Sequence, residues 1–134
     1  MVAVVADTHA IVWYLRESSK LSEAAIAAFD RAISAGDPVY VSAISVVEVA
    51  YLAEKYRLPK AAFEQLIEAL SNPRTGLAIA PLDITIAQIL SQIPRDIVPD
   101  MPDRIIAATA LYLRLPLVTR DLRIQALTII QTIW

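Results

Sequence analysis

The chain has 134 residues, twelve lysines and arginines against fourteen aspartates and glutamates, a net charge of −2 and no cysteine. That length fits one domain over residues 1–134, with a core able to stand without disulfides, and the charge taken alone argues against a general polyanion binder. The apolar share of 57% exceeds the ordinary ~45–50%, yet charges and prolines break every run short of the ~20 residues of a membrane span. The surplus therefore points to a buried interface between copies of the chain rather than to a membrane. No cationic leader with a small-residue cleavage pattern follows Met1, so a cytoplasmic location is expected.

In chain order, Val2 to Ala6 is an apolar, β-branched run, the pattern of a strand buried on both faces of a parallel sheet. Thr8 to Leu15 then predicts a short helix, and Leu21 to Ser34 a longer one with apolar Leu21, Ala25, Ile26, Phe29 and Ile33. Gly36-Asp-Pro38 breaks the pattern before a strand at Val39 to Val41. Helices are expected over about Ser45 to Tyr56, stopped by Pro59, and over about Lys60 to Leu70. A turn at Asn72 to Gly76 precedes a third strand at Leu77 to Ala80 and a helix from Asp83, a suitable N-cap, to Gln92. A loop from Pro94 to Pro102 leads to a helix from Asp103 to Arg114, apolar nearly all round and hence buried. Leu117-Val118 gives a fourth strand and Leu127 to Ile130 a fifth. Strands alternating with helices predict an α/β fold whose parallel sheet is covered on both faces, with sites at the carboxyl ends of its strands.

Several chemistries lack their obligatory residues. His9 is the only histidine, which excludes a two-histidine acid–base nuclease. Without cysteine there is neither a thiol nucleophile nor a thiolate zinc site. The two glycines, Gly36 and Gly76, cannot compose a phosphate-binding or dinucleotide-binding loop. Hard oxygen ligation remains, and it selects magnesium or manganese.

Four carboxylates stand beside strongly apolar segments: Asp7, Glu48, Asp103 and Asp121, with Asp100 three residues before Asp103. Each has a structural alternative. Asp7 can cap the helix after it, Glu48 can complete a capping box with Ser45, Asp103 can cap its own helix, and Asp121 can open a turn. Capping explains them singly but not jointly, since Asp7 and Asp121 both follow predicted parallel strands and Glu48 lies about one turn into the helix after another. Clustered like charges repel and raise one another's pKa values, and a divalent cation is the economical compensation. With these five removed from the fourteen acids, nine remain against twelve bases, a balance of +3. Such a mildly basic rim around an acidic metal site suits a nucleic-acid substrate. Thr8 and Thr119 are placed to orient a carboxylate or to cap a helix; Arg104, Arg120 and Arg123 are placed to meet phosphates or to pair with neighbouring acids. His9 carries no assigned role.

The segments Asp7-Thr-His-Ala-Ile-Val-Trp13, Val41-Ser-Ala-Ile-Ser-Val-Val-Glu48, Asp100-Met-Pro-Asp-Arg-Ile-Ile-Ala-Ala-Thr-Ala110 and Leu117-Val-Thr-Arg-Asp121 resemble, in order and spacing, the PIN domain and within it the VapC-type toxins of toxin–antitoxin pairs. The resemblance implies a three-layer α/β/α sandwich with a central parallel sheet of four to five strands. It also implies an endoribonuclease dependent on Mg2+ or Mn2+, with Asp7, Glu48, Asp103 and Asp121 as the acidic quartet and Asp100 as a further ligand. Hydrolysis of structured RNA such as tRNA or rRNA by a metal-activated water, a homodimer, and a cognate antitoxin that covers the site follow from the same resemblance. The alternative is a non-catalytic RNA- or partner-binding module of the same shape. A receiver-like phosphate acceptor at Asp7 is disfavoured because no lysine follows Lys60.

Overall fold

The computed structural model describes residues 2–134. Strand β1 (Val4–Ala6) is buried throughout because its alternating side chains face two different cores. Val4 and Ala6 enter one, Val5 the other. Around it lie β2 (Val39–Ser42), β3 (Leu77–Ala80), β4 (Leu117–Val118) and β5 (Thr132–Ile133), in the order β3-β2-β1-β4-β5. Every pairing is parallel, with Ala6 opposite Val41 on one side and Val118 on the other.

The helices are α1 (Thr8–Leu15), α2 (Glu23–Ser34), α3 (Ala43–Glu54), α4 (Lys60–Ser71), α5 (Ile84–Ile89), α6 (Met101–Leu113) and α7 (Leu122–Gln125). The first core packs Ile11, Phe29, Val49 and Leu66 against Val4, Ala6, Val39 and Val41. The second packs Ile86, Ile93, Val98, Ile106 and Ile124 against Val5 and Leu117. The expected three-layer α/β/α sandwich with a parallel sheet is thus the observed one, with five strands. Local signals start the helices where side-chain oxygens can accept backbone N–H groups: Ser22 Oγ accepts from Ala25 at 3.1 Å, and Asp83 Oδ1 from Ile86 at 3.0 Å. Among the described residues, no helix is long and apolar enough to cross a membrane.

Several ends shift by a few residues, and two differences from expectation bear on the site. Helix α6 begins at Met101 rather than Asp103, because Asp100 is its N-cap. Leu127 to Ile130 is not the fifth strand. Asp121 Oδ1 accepts from the N–H groups of Arg123 and Ile124, turning the chain into α7, and Leu127 is then used to close the second core. The strand forms later, at Thr132–Ile133, where it pairs with β4. The chain therefore winds outward from β1 through β2 to β3, returns to β4 on the other side of β1, and ends at β5. That reversal creates a crevice at the carboxyl ends of β1 and β4, the usual position of a site in an open parallel sheet.

Gly76 leads into β3 by adopting the left-handed conformation, φ +81, after the turn at Pro73–Thr75. A Cβ there would meet Ile33 Cγ1 at 3.0 Å. Gly76→Ala is expected to lower stability by about 1–2 kcal/mol, read as an earlier urea midpoint with an unchanged denaturant slope.

Candidate active site

Asp7 is carried to the crevice by β1, and its own N–H still donates to the Val118 carbonyl at 3.0 Å. Its carboxylate is held at both oxygens. The Thr8 N–H donates to Oδ1 at 2.8 Å and the Thr119 hydroxyl donates to Oδ2 at 2.6 Å. Only 9% of Asp7 is exposed, and burial raises its pKa despite the lowering effect of those hydrogen bonds and of His9. Thr119 is itself fully buried and accepts from the Asp121 N–H at 3.0 Å, so one hydroxyl ties the ends of β1 and β4 together.

Glu48 is brought in by α3, whose N-cap is Ser42 with Oγ accepting from the Ile44 N–H at 3.2 Å. The capping-box alternative for Glu48 is thereby corrected. Thr8 Oγ1 donates to Glu48 Oε1 at 2.6 Å and lies 2.8 Å from Oγ of the buried Ser45. Partial burial raises the Glu48 pKa, the Thr8 hydrogen bond lowers it, and the charges of Asp7 and Asp100 raise it further. Asp100 Oδ2 accepts from the Asp103 N–H at 3.2 Å, so Asp100 rather than Asp103 caps α6. The Asp103 carboxyl is thereby free of capping, and its pKa is pushed up to about 8, first by burial and then by Asp7, Asp100, Asp121 and Glu48.

All five expected acids line one cleft of about 630 Å3, together with Thr8, His9, Trp13, Lys20, Arg57 and Arg120. Capping and clustering are not exclusive, since Asp7, Asp100 and Asp121 do both. Two expected arginines are absent from the cleft. Arg104 donates instead to the carbonyls of Leu90 at 2.7 Å and Ile93 at 2.9 Å, clamping the turn after α5 to α6. Arg123 is exposed on α7, because capping by Asp121 directs that turn away from the cleft. Arg120 does line the cleft, but over the Trp13 ring at 4.7 Å rather than paired with an acid. Ser45, Trp13, Lys20 and Arg57 were missed. Ser45 was visible but assigned to a cap, Trp13 follows His9 by one helical turn, and nothing local marks Lys20 or Arg57.

The donor set is oxygen only, as a hard divalent cation requires, and mutual repulsion among the acids is what such a cation relieves. As the side chains stand, no three His, Cys, Asp or Glu groups among the described residues converge into a ready chelate. The fit is thus one of charge and donor chemistry.

A parallel α/β/α domain with a carboxylate cleft at the switch point of its sheet is the class defined by this geometry. A family model described as the PIN domain matches residues 4–129, and the chain belongs to that family. Its relatives are of the VapC kind: the chain is 34% identical over 128 residues to Ribonuclease VapC22 of Mycobacterium tuberculosis, covering 94% of this chain and 92% of the relative. Among solved structures it is similar to FitAcB from Neisseria gonorrhoeae, at 26% identity and TM-score 0.62 over 96% of this chain and 95% of that one. It shares the fold of VapBC2 from Rickettsia felis bound to a promoter DNA fragment, at 15% identity and TM-score 0.72 over 97% and 96% of the two chains.

Two outcomes follow from the site. A carboxyl whose pKa rises on folding stabilises the fold below its unfolded pKa, and that contribution disappears as pH rises through the folded pKa. For Asp103 the window runs from about 4 to about 8, and the shifts of Asp7 and Glu48 act in the same direction. In chelator, thermal stability is expected to fall across that window. Asp103→Asn should flatten the fall and melt above the parent at pH 8. Arg104→Ala, which strips a guanidinium from two carbonyls, is expected to cost about 1–3 kcal/mol in urea denaturation, against at most about 0.5 kcal/mol for exposed Arg123→Ala.

Proposed function

We propose that the chain is a toxin ribonuclease of the VapC kind, an endoribonuclease that uses Mg2+ or Mn2+ to hydrolyse phosphodiester bonds in structured cytoplasmic RNA such as tRNA or rRNA. The single observation that carries this reading is the convergence of Asp7, Glu48, Asp100, Asp103 and Asp121 on one cleft at the β1–β4 reversal. Kinship with a relative named as a ribonuclease supports it.

In this reading Asp7, Glu48, Asp103 and Asp121 hold the cation, with Asp100 as a fifth donor. Such an ion supplies the positive charge that binds a scissile phosphate and makes a water acidic enough to attack it in line. Thr119 fixes the plane of the Asp7 carboxylate and Thr8 that of Glu48, so two of the donors are oriented before anything binds. Asp103 must give up its proton to act as a donor, so the cation competes for this carboxyl with a proton that burial and the neighbouring acids favour. The chain has no cysteine, and its one histidine is exposed at the rim. Water therefore fits the role of nucleophile better than a side chain, and the expected products carry 5′-phosphate and 3′-hydroxyl ends.

A cognate antitoxin belongs to the same reading, supported by similarity to a toxin–antitoxin complex from Klebsiella pneumoniae at 25% identity. A homodimer is supported by exposed apolar side chains on α3, α5 and α6, namely Val47, Tyr51, Ile84 and Met101.

Asp7→Asn and Asp103→Asn are each expected to reduce magnesium-dependent cleavage of total RNA by about 100-fold or more and to abolish growth inhibition, with circular dichroism unchanged. Full activity in either variant would overturn the assignment. Parent protein that shows no magnesium-dependent cleavage would favour the non-catalytic binding module.

A further inference from the structure

Trp13 forms part of the cleft wall. It lies one turn after His9 on α1, with ring centroids 5.6 Å apart, as residues four apart share a helix face. The indole packs against Trp134, with ring centroids 6.0 Å apart, and against the first core. Cations gather on it: Arg120 Cζ lies 4.7 Å from the ring centroid and Lys20 Nζ 5.9 Å. Both are exposed cleft residues, and Arg57 joins them there. None of the three forms an ion pair among the described residues, where the only side-chain pair is Lys60 with Glu64. Arg120 ignores even its sequence neighbour Asp121. A braced aromatic ring surrounded by uncommitted cations is the pairing that single-stranded nucleic acid demands, a π face for a base and charges for the adjoining phosphates. A base inside a duplex offers no free face to such a ring.

We propose that Trp13 is a positioning residue that stacks an unpaired nucleobase beside the scissile phosphate, while Arg120, Lys20 and Arg57 bind the flanking phosphates. This rests on the ribonuclease reading for the placement of the scissile phosphate over the acids, and it narrows the substrate to RNA with an unpaired nucleotide at the cut. Arg120 yields the indole face to the base and moves to the next phosphate, an exchange open to an exposed cation–π contact. Stacking tolerates any base, so this wall selects for unpairedness and leaves the choice of letter to other contacts.

The test uses a Trp134→Phe background, in which Trp13 is the sole indole of a chain with two. Binding is read in chelator with an oligouridylate of about eight nucleotides, the same strand with abasic central positions, and an RNA duplex. Trp13 emission should be quenched by the intact strand and not by the other two. Trp13→Leu should weaken binding of the intact strand by about ten-fold to a hundred-fold and Trp13→Tyr by no more than about three-fold. With magnesium, Trp13→Leu should raise KM while kcat stays within about three-fold. Unchanged Trp13 emission in the Trp134→Phe background, or an abasic strand that the parent protein binds as tightly as the intact one, would overturn the proposal and leave this face to a protein segment. Stacking-dependent binding without any cleavage would sustain the stacking and defeat the ribonuclease reading. Cleavage that Trp13→Leu matches in KM would do the reverse.

Discussion

Five carboxylates share one cleft, and their repulsion and desolvation are what the surrounding structure must hold in check. Left to relax, such charges would separate or be protonated. Here they are pinned by the backbone: Asp7 at the end of the central strand, Asp121 after its neighbour, Glu48 on the helix after β2, and Asp100 and Asp103 at the start of a buried helix. Buried hydroxyls take part of the load, Thr119 on Asp7 and Thr8 on Glu48. What remains uncompensated appears as raised proton affinity at Asp7, Glu48 and Asp103. A stable fold carrying that strain is poised to take up positive charge.

The cores explain why the strain is tolerated. Both faces of the sheet are sealed by large buried side chains, among them Phe29, Leu66, Ile93 and Ile106, and burial of each contributes roughly 1.5–3 kcal/mol. The acids lie at the sheet's edge, outside these two cores, so their cost is local. Helix capping serves both ends, because an aspartate that accepts backbone N–H groups through one oxygen is also fixed in direction for whatever its other oxygen meets. Asp121, which caps through Oδ1 alone, shows this economy.

The cleft is acidic at its floor and cationic at its wall. Lys20, Arg57 and Arg120 come from three distant stretches of chain and meet around one indole or near it. That division of charge reconciles a net charge of −2 with the polyanionic substrate proposed above, since binding depends on where charge lies rather than on its sum.

The parallel sheet, its two covers and the gathering of the acids in one cleft were legible in the sequence. The first two follow from hydrophobic periodicity, a local property, and the gathering from Asp7 and Asp121 placed after strands and Glu48 one turn into a helix. Capping was legible too, though the alternative caps at Ser45 and Asp103 fall one turn from the real ones, since several acceptors compete within one turn and only the backbone path decides among Ser42, Ser45, Asp100 and Asp103. The fifth strand was misplaced because a two-residue strand carries no periodicity of its own; pairing with β4 defines it. The destinations of the arginines were decided by tertiary structure alone. Long side chains reach across elements, so Arg104 found carbonyls, Arg120 found an indole and Arg123 found solvent, although each stands next to or two residues from one of the acids. Short carboxylates stay where the backbone puts them, and that is why the sequence by itself could place the acids but not the cations that face them.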